Sequence, residues 1–66
     1  MTNQKAKELE EIASNTNLKD SVRIEACKQL GNLGSDGAES LGRIAKNTNL
    51  KDEVRMAALK GLGKKD

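Results

Sequence analysis

For covalent or acid–base chemistry this 66-residue chain has one thiol, no imidazole and a scatter of carboxylates beside its Ser, Thr and Lys side chains. Catalysis of that kind needs a group titrating near the working pH, held beside a partner that activates it. Cys27 is the one thiol, and there is no His to pair with it. It falls beside the apolar line Val22, Ala26 and Leu30, where a thiol is pushed toward its neutral form and packs as a small hydrophobe. Cys27 is therefore expected to be buried and structural. A single Cys also cannot close an internal disulfide, which points to a reducing, cytoplasmic compartment. The Asp and Glu residues are spread along the chain without the fixed spacing of a metal site, so neither a metal nor a cofactor is expected. Gly31, Gly34 and Gly37 recur every third residue, but they follow a helical segment and lack the strand that a phosphate-binding loop requires. The expectation is a protein that is not an enzyme and has no catalytic residues.

What positions these groups is a repeat. The hexamer Asn-Thr-Asn-Leu-Lys-Asp occurs at 15–20 and again at 47–52, and laying Ala6–Gly31 over Ala38–Gly63 gives 16 identities in 26 positions at an offset of 32. A period in this range is the mark of stacked helical hairpins. Helix one is expected over about Asn3 to Ser14, with Ala6, Leu9, Ile12 and Ala13 on one stripe of a 3.6-residue period. Asn15, Thr16 and Asn17 then break it, because short polar side chains compete for backbone hydrogen bonds. Helix two starts with either Asn17 or Asp20 as its cap. It carries Leu18, Val22, Ala26, Cys27 and Leu30, and Gly31 is expected to end it. The stretch 31–37 reads as the joint, with Leu33 packing back on the helices and Asp36 and Glu39 forming a capping box for helix three. Helices three and four repeat the pattern through Ala38, Leu41, Ile44 and Ala45, then Leu50, Val54, Ala58, Leu59 and Leu62. Gly42 replaces Glu10 and Gly61 replaces Gln29. Either Gly42 permits close approach of a neighbouring element or it is drift.

The composition sets bounds. There is no Phe, Tyr, Trp or Pro, so the core must be aliphatic, and nothing interrupts helices of this length. Twelve basic residues against ten acidic give a net charge of +2, too small a bias to predict a nucleic-acid partner. The residues after Met1 are polar and charged, and no run approaches the ~18 apolar residues of a membrane span. Neither a signal peptide nor a membrane partner is expected. The inner residues predicted for the four helices are Leu9, Ile12, Ala13, Val22, Ala26, Leu30, Leu41, Ile44, Ala45, Val54, Ala58 and Leu62.

When residues 20–31 and 52–63 are laid together, each shows an acidic residue, a Val-Arg pair, an Ala four positions past the Val, and a closing Leu-Gly. In these features the chain resembles the HEAT repeat family, specifically the short prokaryotic repeats also found in phycobilin lyases. The resemblance implies an all-α fold of two stacked HEAT-like hairpins, with one domain over residues 1–66 and repeats at about 3–33 and 35–63. In that family the Arg of the pair lies between adjacent repeats and meets an acidic group, which implies repeat-stacking roles for Arg23 and Arg55 with Asp20 and Asp52.

Binding is then the expected activity. Ile24 and its counterpart Met56 fall away from the inward stripe of the second and fourth helices, so with Glu25, Lys28 and Lys60 they form a candidate protein-contact patch. Two repeats also leave both ends of the stack uncapped. The partner is thus expected to be a protein or the chain itself, as a homo-oligomer. Two alternatives stand beside this: a nucleic-acid-associated module using Lys19, Lys28, Lys51, Lys60, Lys64 and Lys65, and an accessory protein related to the bilin lyases.

Overall fold

The computed structural model describes residues 3–64, and within them the chain forms four helices and no strand. They are α1 (Gln4–Ser14), α2 (Asp20–Asn32), α3 (Ser35–Lys46) and α4 (Asp52–Leu62). Helix α1 pairs with α2 and α3 with α4, while α2 packs along α4 and α1 along α3, so the two pairs lie side by side as one all-α bundle. The Cα radius of gyration of 10.2 Å is slightly below the ~10.8 Å expected of a compact chain of this length.

Local chemistry explains the helix ends. Asn3 caps α1, its side-chain oxygen accepting from the Ala6 amide at 3.2 Å, which satisfies one of the donors that a helix start leaves open. The repeated Asn-Thr-Asn works as an Asx turn. Asn15 Oδ1 accepts from the Asn17 amide at 2.9 Å and Asn47 Oδ1 from the Asn49 amide at 3.0 Å, giving the backbone an alternative to another helical turn. Helix α2 begins at Asp20 with Lys19 in the cap position, and α4 begins at Asp52 with Lys51 there; neither has a side-chain cap bond. The carboxylates of Asp20 and Asp52 lie instead in the first turn, where the helix dipole favours negative charge.

The joint between the pairs differs from the sequence expectation. Helix α2 runs through Gly31 to Asn32, and the turn is only Leu33 and Gly34, with Gly34 at φ 62°. That left-handed conformation suits a residue without a Cβ. Gly34, not Asp36, precedes α3, and Asp36 accepts from Asn3 Nδ2 at 3.3 Å instead of capping. Gly37 lies inside α3 where it crosses α2, and a Cβ there would stand 2.1 Å from the Leu30 carbonyl oxygen. The close approach is therefore at Gly37, and also at Gly31, whose Cβ would stand 3.0 Å from the Gly61 Cα. Gly42, by contrast, has open space where its side chain would be.

The buried core is Ala6, Ala13, Ala26, Cys27, Leu30, Leu41, Ile44, Leu50, Val54 and Ala58, with Leu9, Ile12, Ile24, Leu33, Ala45 and Ala57 partly buried against it. Two residues predicted to point inward do not: Val22 and Leu62 are exposed. Both sit on helix stripes that have a neighbour in one copy of the repeat and none in the other.

Candidate functional site

The Arg residues are clasps within each hairpin. Arg23 Nε donates to the Ala13 carbonyl at 2.9 Å, and Arg55 Nε to the Ala45 carbonyl at 3.1 Å. These carbonyls lie in the last turns of α1 and α3, where no helical amide remains to satisfy them. Each guanidinium also approaches the acid three residues before it, Arg23 to Asp20 at 3.9 Å and Arg55 to Asp52 at 3.8 Å. The polar links between hairpins belong to other residues. Asp20 accepts from Lys51 Nζ at 3.2 Å, Lys64 bonds to Asn32, and Arg43 donates through Nε and Nη2, each at 2.8 Å, to the two oxygens of Glu10. The Arg43 hydrogen bond, with help from the Ser40 hydroxyl and against partial burial, holds the Glu10 carboxyl below its usual range, and Glu10 in turn raises the Arg43 guanidinium. Asp20 thus stands between Arg23 of its own helix and Lys51 of the next hairpin.

Cys27 is fully buried, with Sγ 3.7 Å from the Val54 carbonyl oxygen. Burial raises its pKa, and the nearby Arg23 only partly offsets this, so at neutral pH it is a thiol packed between α2 and α4. Among the described residues, no three His, Cys, Asp or Glu side chains gather where they could share a metal ion, and no helix is long and apolar enough to cross a membrane.

The structure does not bring the predicted contact patch together as an equivalent pair. Ile24 is half-buried against the core, Met56 is exposed, Glu25 accepts from Gln29 Nε2 at 2.7 Å, and Lys28 and Lys60 are exposed. The difference between Ile24 and Met56 is one instance of a general asymmetry. Residues 32 apart have the same place in their own hairpin, so any difference in burial reports what lies beyond it. Val22 is 46% exposed and Val54 0%; Cys27 is 0% exposed and Leu59 57%; Leu30 is 0% exposed and Leu62 41%. Leu9, Ile12 and Leu18 follow Val22, each more exposed than Leu41, Ile44 and Leu50.

These differences define two flanks. The first, on the outer side of α1 and α2, carries Leu18 and, around a shallow hollow of ≈ 350 Å³, Leu9, Ile12 and Val22, with Ser21, Glu25, Ala26 and Gln29 completing the wall. The second, on the outer side of α4, carries Met56, Leu59 and Leu62. All five large hydrophobic residues that are exposed among the described residues, Leu18, Val22, Met56, Leu59 and Leu62, belong to one flank or the other. A larger open groove of ≈ 700 Å³ runs between α1 and α3, but its walls are Asn3, Lys7, Glu10, Asp36, Glu39, Arg43 and similar polar residues. Of the lysines considered for nucleic acid, Lys51 and Lys64 are engaged between the hairpins, and Lys65 lies outside the described residues. Sequence periodicity misses Val22, Leu59 and Leu62 as surface residues; the repeat count signals that the stack has two open ends, but not that these are the residues on them. No protein-family model, curated protein or solved structure matches the chain.

Proposed function

We propose that the chain is a small HEAT-like repeat module of two stacked hairpins that acts without catalysis, in a reducing cytoplasmic compartment, by holding a protein against an apolar end. The observation that carries this is the confinement of the exposed large hydrophobics to the two flanks, together with their burial at the equivalent positions between the hairpins. Scattered surface Leu and Val residues are ordinary; a set gathered on surfaces of known fit is the mark of a contact site. Covering one such side chain is worth roughly 1.5–3 kcal/mol at full burial, so three or four together provide a specific protein contact with its driving force.

A photo-reactive residue placed in living source cells tests the proposal. At position 22 or 59 it gives discrete cross-linked adducts, whereas at Lys7, on the polar α1 face, it gives none. Absence of adducts at both ends overturns it.

A further inference from the structure

We propose that the protein held at these ends is a second copy of the same chain, stacked head to tail, with the Leu9, Ile12 and Val22 flank of one molecule seated on the Leu59 and Leu62 flank of the next. This rests on the protein-contact function proposed above and names its partner.

The argument starts from the junction inside the molecule. There the first hairpin presents Cys27, Leu30 and Gly31, and the second brings Val54 of α4 to Cys27, Gly37 of α3 to Leu30 and Gly61 of α4 to Gly31. Moving every member of that junction on by one repeat, 32 positions, turns it into a junction between molecules. Cys27 against Val54 becomes Leu59 against Val22 of the next molecule, both apolar and both exposed. The ion pair of Asp20 with Lys51 becomes Asp52 with Lys19 of the next molecule; both of these side chains are exposed and take no part in the links between the hairpins, Asp52 facing only Arg55 of its own helix. Asn32 with Lys64 becomes Lys64 with Asn32 of the next molecule, but both already bond within their own chain, so this link adds nothing to the outer junction. Charge and apolar surface therefore complement each other across the outer junction.

Four exchanges make the outer junction weaker than the inner one. Lys5 of the next molecule takes the place of Gly37, where a Cβ would stand 2.1 Å from the facing carbonyl oxygen, so α1 of the next molecule must sit further from α4 than α3 does from α2. The Glu10–Arg43 clamp becomes Gly42 facing Glu11, which loses an ion pair without creating a repulsion. Leu59 is larger than the Cys27 it stands in for. Gln29 replaces Gly61, where a Cβ would stand 3.3 Å from the facing Cys27 carbonyl oxygen, so the helices must open by a few tenths of an ångström. The contact is consequently reversible and concentration dependent. Because its two surfaces differ, it is heterologous, and stacking continues past two molecules instead of closing as a symmetric dimer.

Sedimentation with two blocked variants tests this. Wild-type protein, followed from about 10 µM to about 1 mM, shows a weight-average mass rising from the 7.1 kDa of one chain through and beyond twice that value. V22D blocks one flank and L59D the other; both positions are exposed, and circular dichroism confirms that each variant is folded. Each alone stays at the mass of one chain. Mixed in equal amounts they form a species of two chains and no larger one, because each supplies the flank the other lacks. In addition, D52K weakens wild-type association about tenfold, and adding K19D in the same chain restores it. A wild-type mass that stays at one chain overturns the proposal, as does a blocked variant that still self-associates or a mixture that does not assemble. If position 22 cross-links to a different protein while the wild-type chain stays monomeric, the head-to-tail stack is wrong and the protein-contact function stands. If no adduct forms at all, both fall.

Discussion

The Arg43 guanidinium grips Glu10 in a two-pronged bond, with both nitrogen–oxygen distances at 2.8 Å, and so joins α1 to α3 across the two hairpins. Such a planar fork is the strongest geometry open to an Arg–carboxylate pair. Neither residue has this partner in the other copy, where Gly42 and Glu11 stand in their places. The clamp is therefore specific to the internal junction.

Its pH dependence follows from the Glu10 titration. The bond holds the folded-state pKa below the ordinary 4.5, so the folded state binds the proton less readily than the unfolded chain. Stability from this group is fully present above the ordinary value and is lost as pH falls through the depressed one. Thermal melts of wild-type and Glu10→Gln protein are expected to differ most near neutral pH and to converge in acid. Because Arg43 is exposed, added salt also narrows the gap.

Three glycines give opposite outcomes when changed to Ala. Gly42→Ala fills open space in mid-helix and is expected to stabilise by about 0.5–1 kcal/mol. Gly37→Ala drives a methyl into the Leu30 carbonyl and is expected to cost at least 3 kcal/mol or so, separating α2 from α3. Gly61→Ala meets the flexible end of Leu41 and the Cys27 carbonyl, giving an intermediate loss of about 1–2 kcal/mol. Urea titrations of the three variants order them.

Cys27→Ala removes a fully buried side chain and is expected to cost about 1–3 kcal/mol as a cavity effect. Native protein should react with a thiol reagent only as fast as it opens, and unfolded protein at once. Rapid stoichiometric labelling of folded protein would contradict the packing seen here.

Arg23 and Arg55 make the same hydrogen bond in different surroundings. Arg23 is buried and Arg55 half-exposed, so Arg23→Ala leaves the Ala13 carbonyl without its donor in the interior. The expected costs are about 2–3 kcal/mol for Arg23→Ala and about 1 kcal/mol for Arg55→Ala. Chemical denaturation compares them directly.

Much of this was legible beforehand, because a helical stripe and a turn are local matters. Leu9, Ile12, Leu41 and Ile44 announce their helices by spacing, and Asn15 and Asn47 end the preceding helix with bonds spanning two residues. What escaped was set by neighbours distant in sequence. Val22 and Val54 are the same residue in the same local context, and only the presence of another hairpin beside α4 buries one of them. Likewise Gly31, Gly34 and Gly37 look equivalent in sequence, but the crossing of α2 over α3 gives them three different tasks. The site divides the same way: the repeat count announces that both ends of the stack are uncapped, but which residues line each flank, Val22 and Leu59 among them, shows only when the two copies are compared in place.

The reach of the polar links sets how the chain finds its fold. The Arg clasps close hairpins across 10 residues, whereas the links between hairpins, Asn3–Asp36, Glu10–Arg43, Asp20–Lys51 and Asn32–Lys64, span 31 to 33. Short loops close first because they cost the least entropy, and topologies built from such local contacts fold on the microsecond-to-millisecond scale. The hairpins are therefore expected to form ahead of the docking of α2 on α4, and substitutions at Gly31 or Gly61 are expected to slow folding more than those at Arg55.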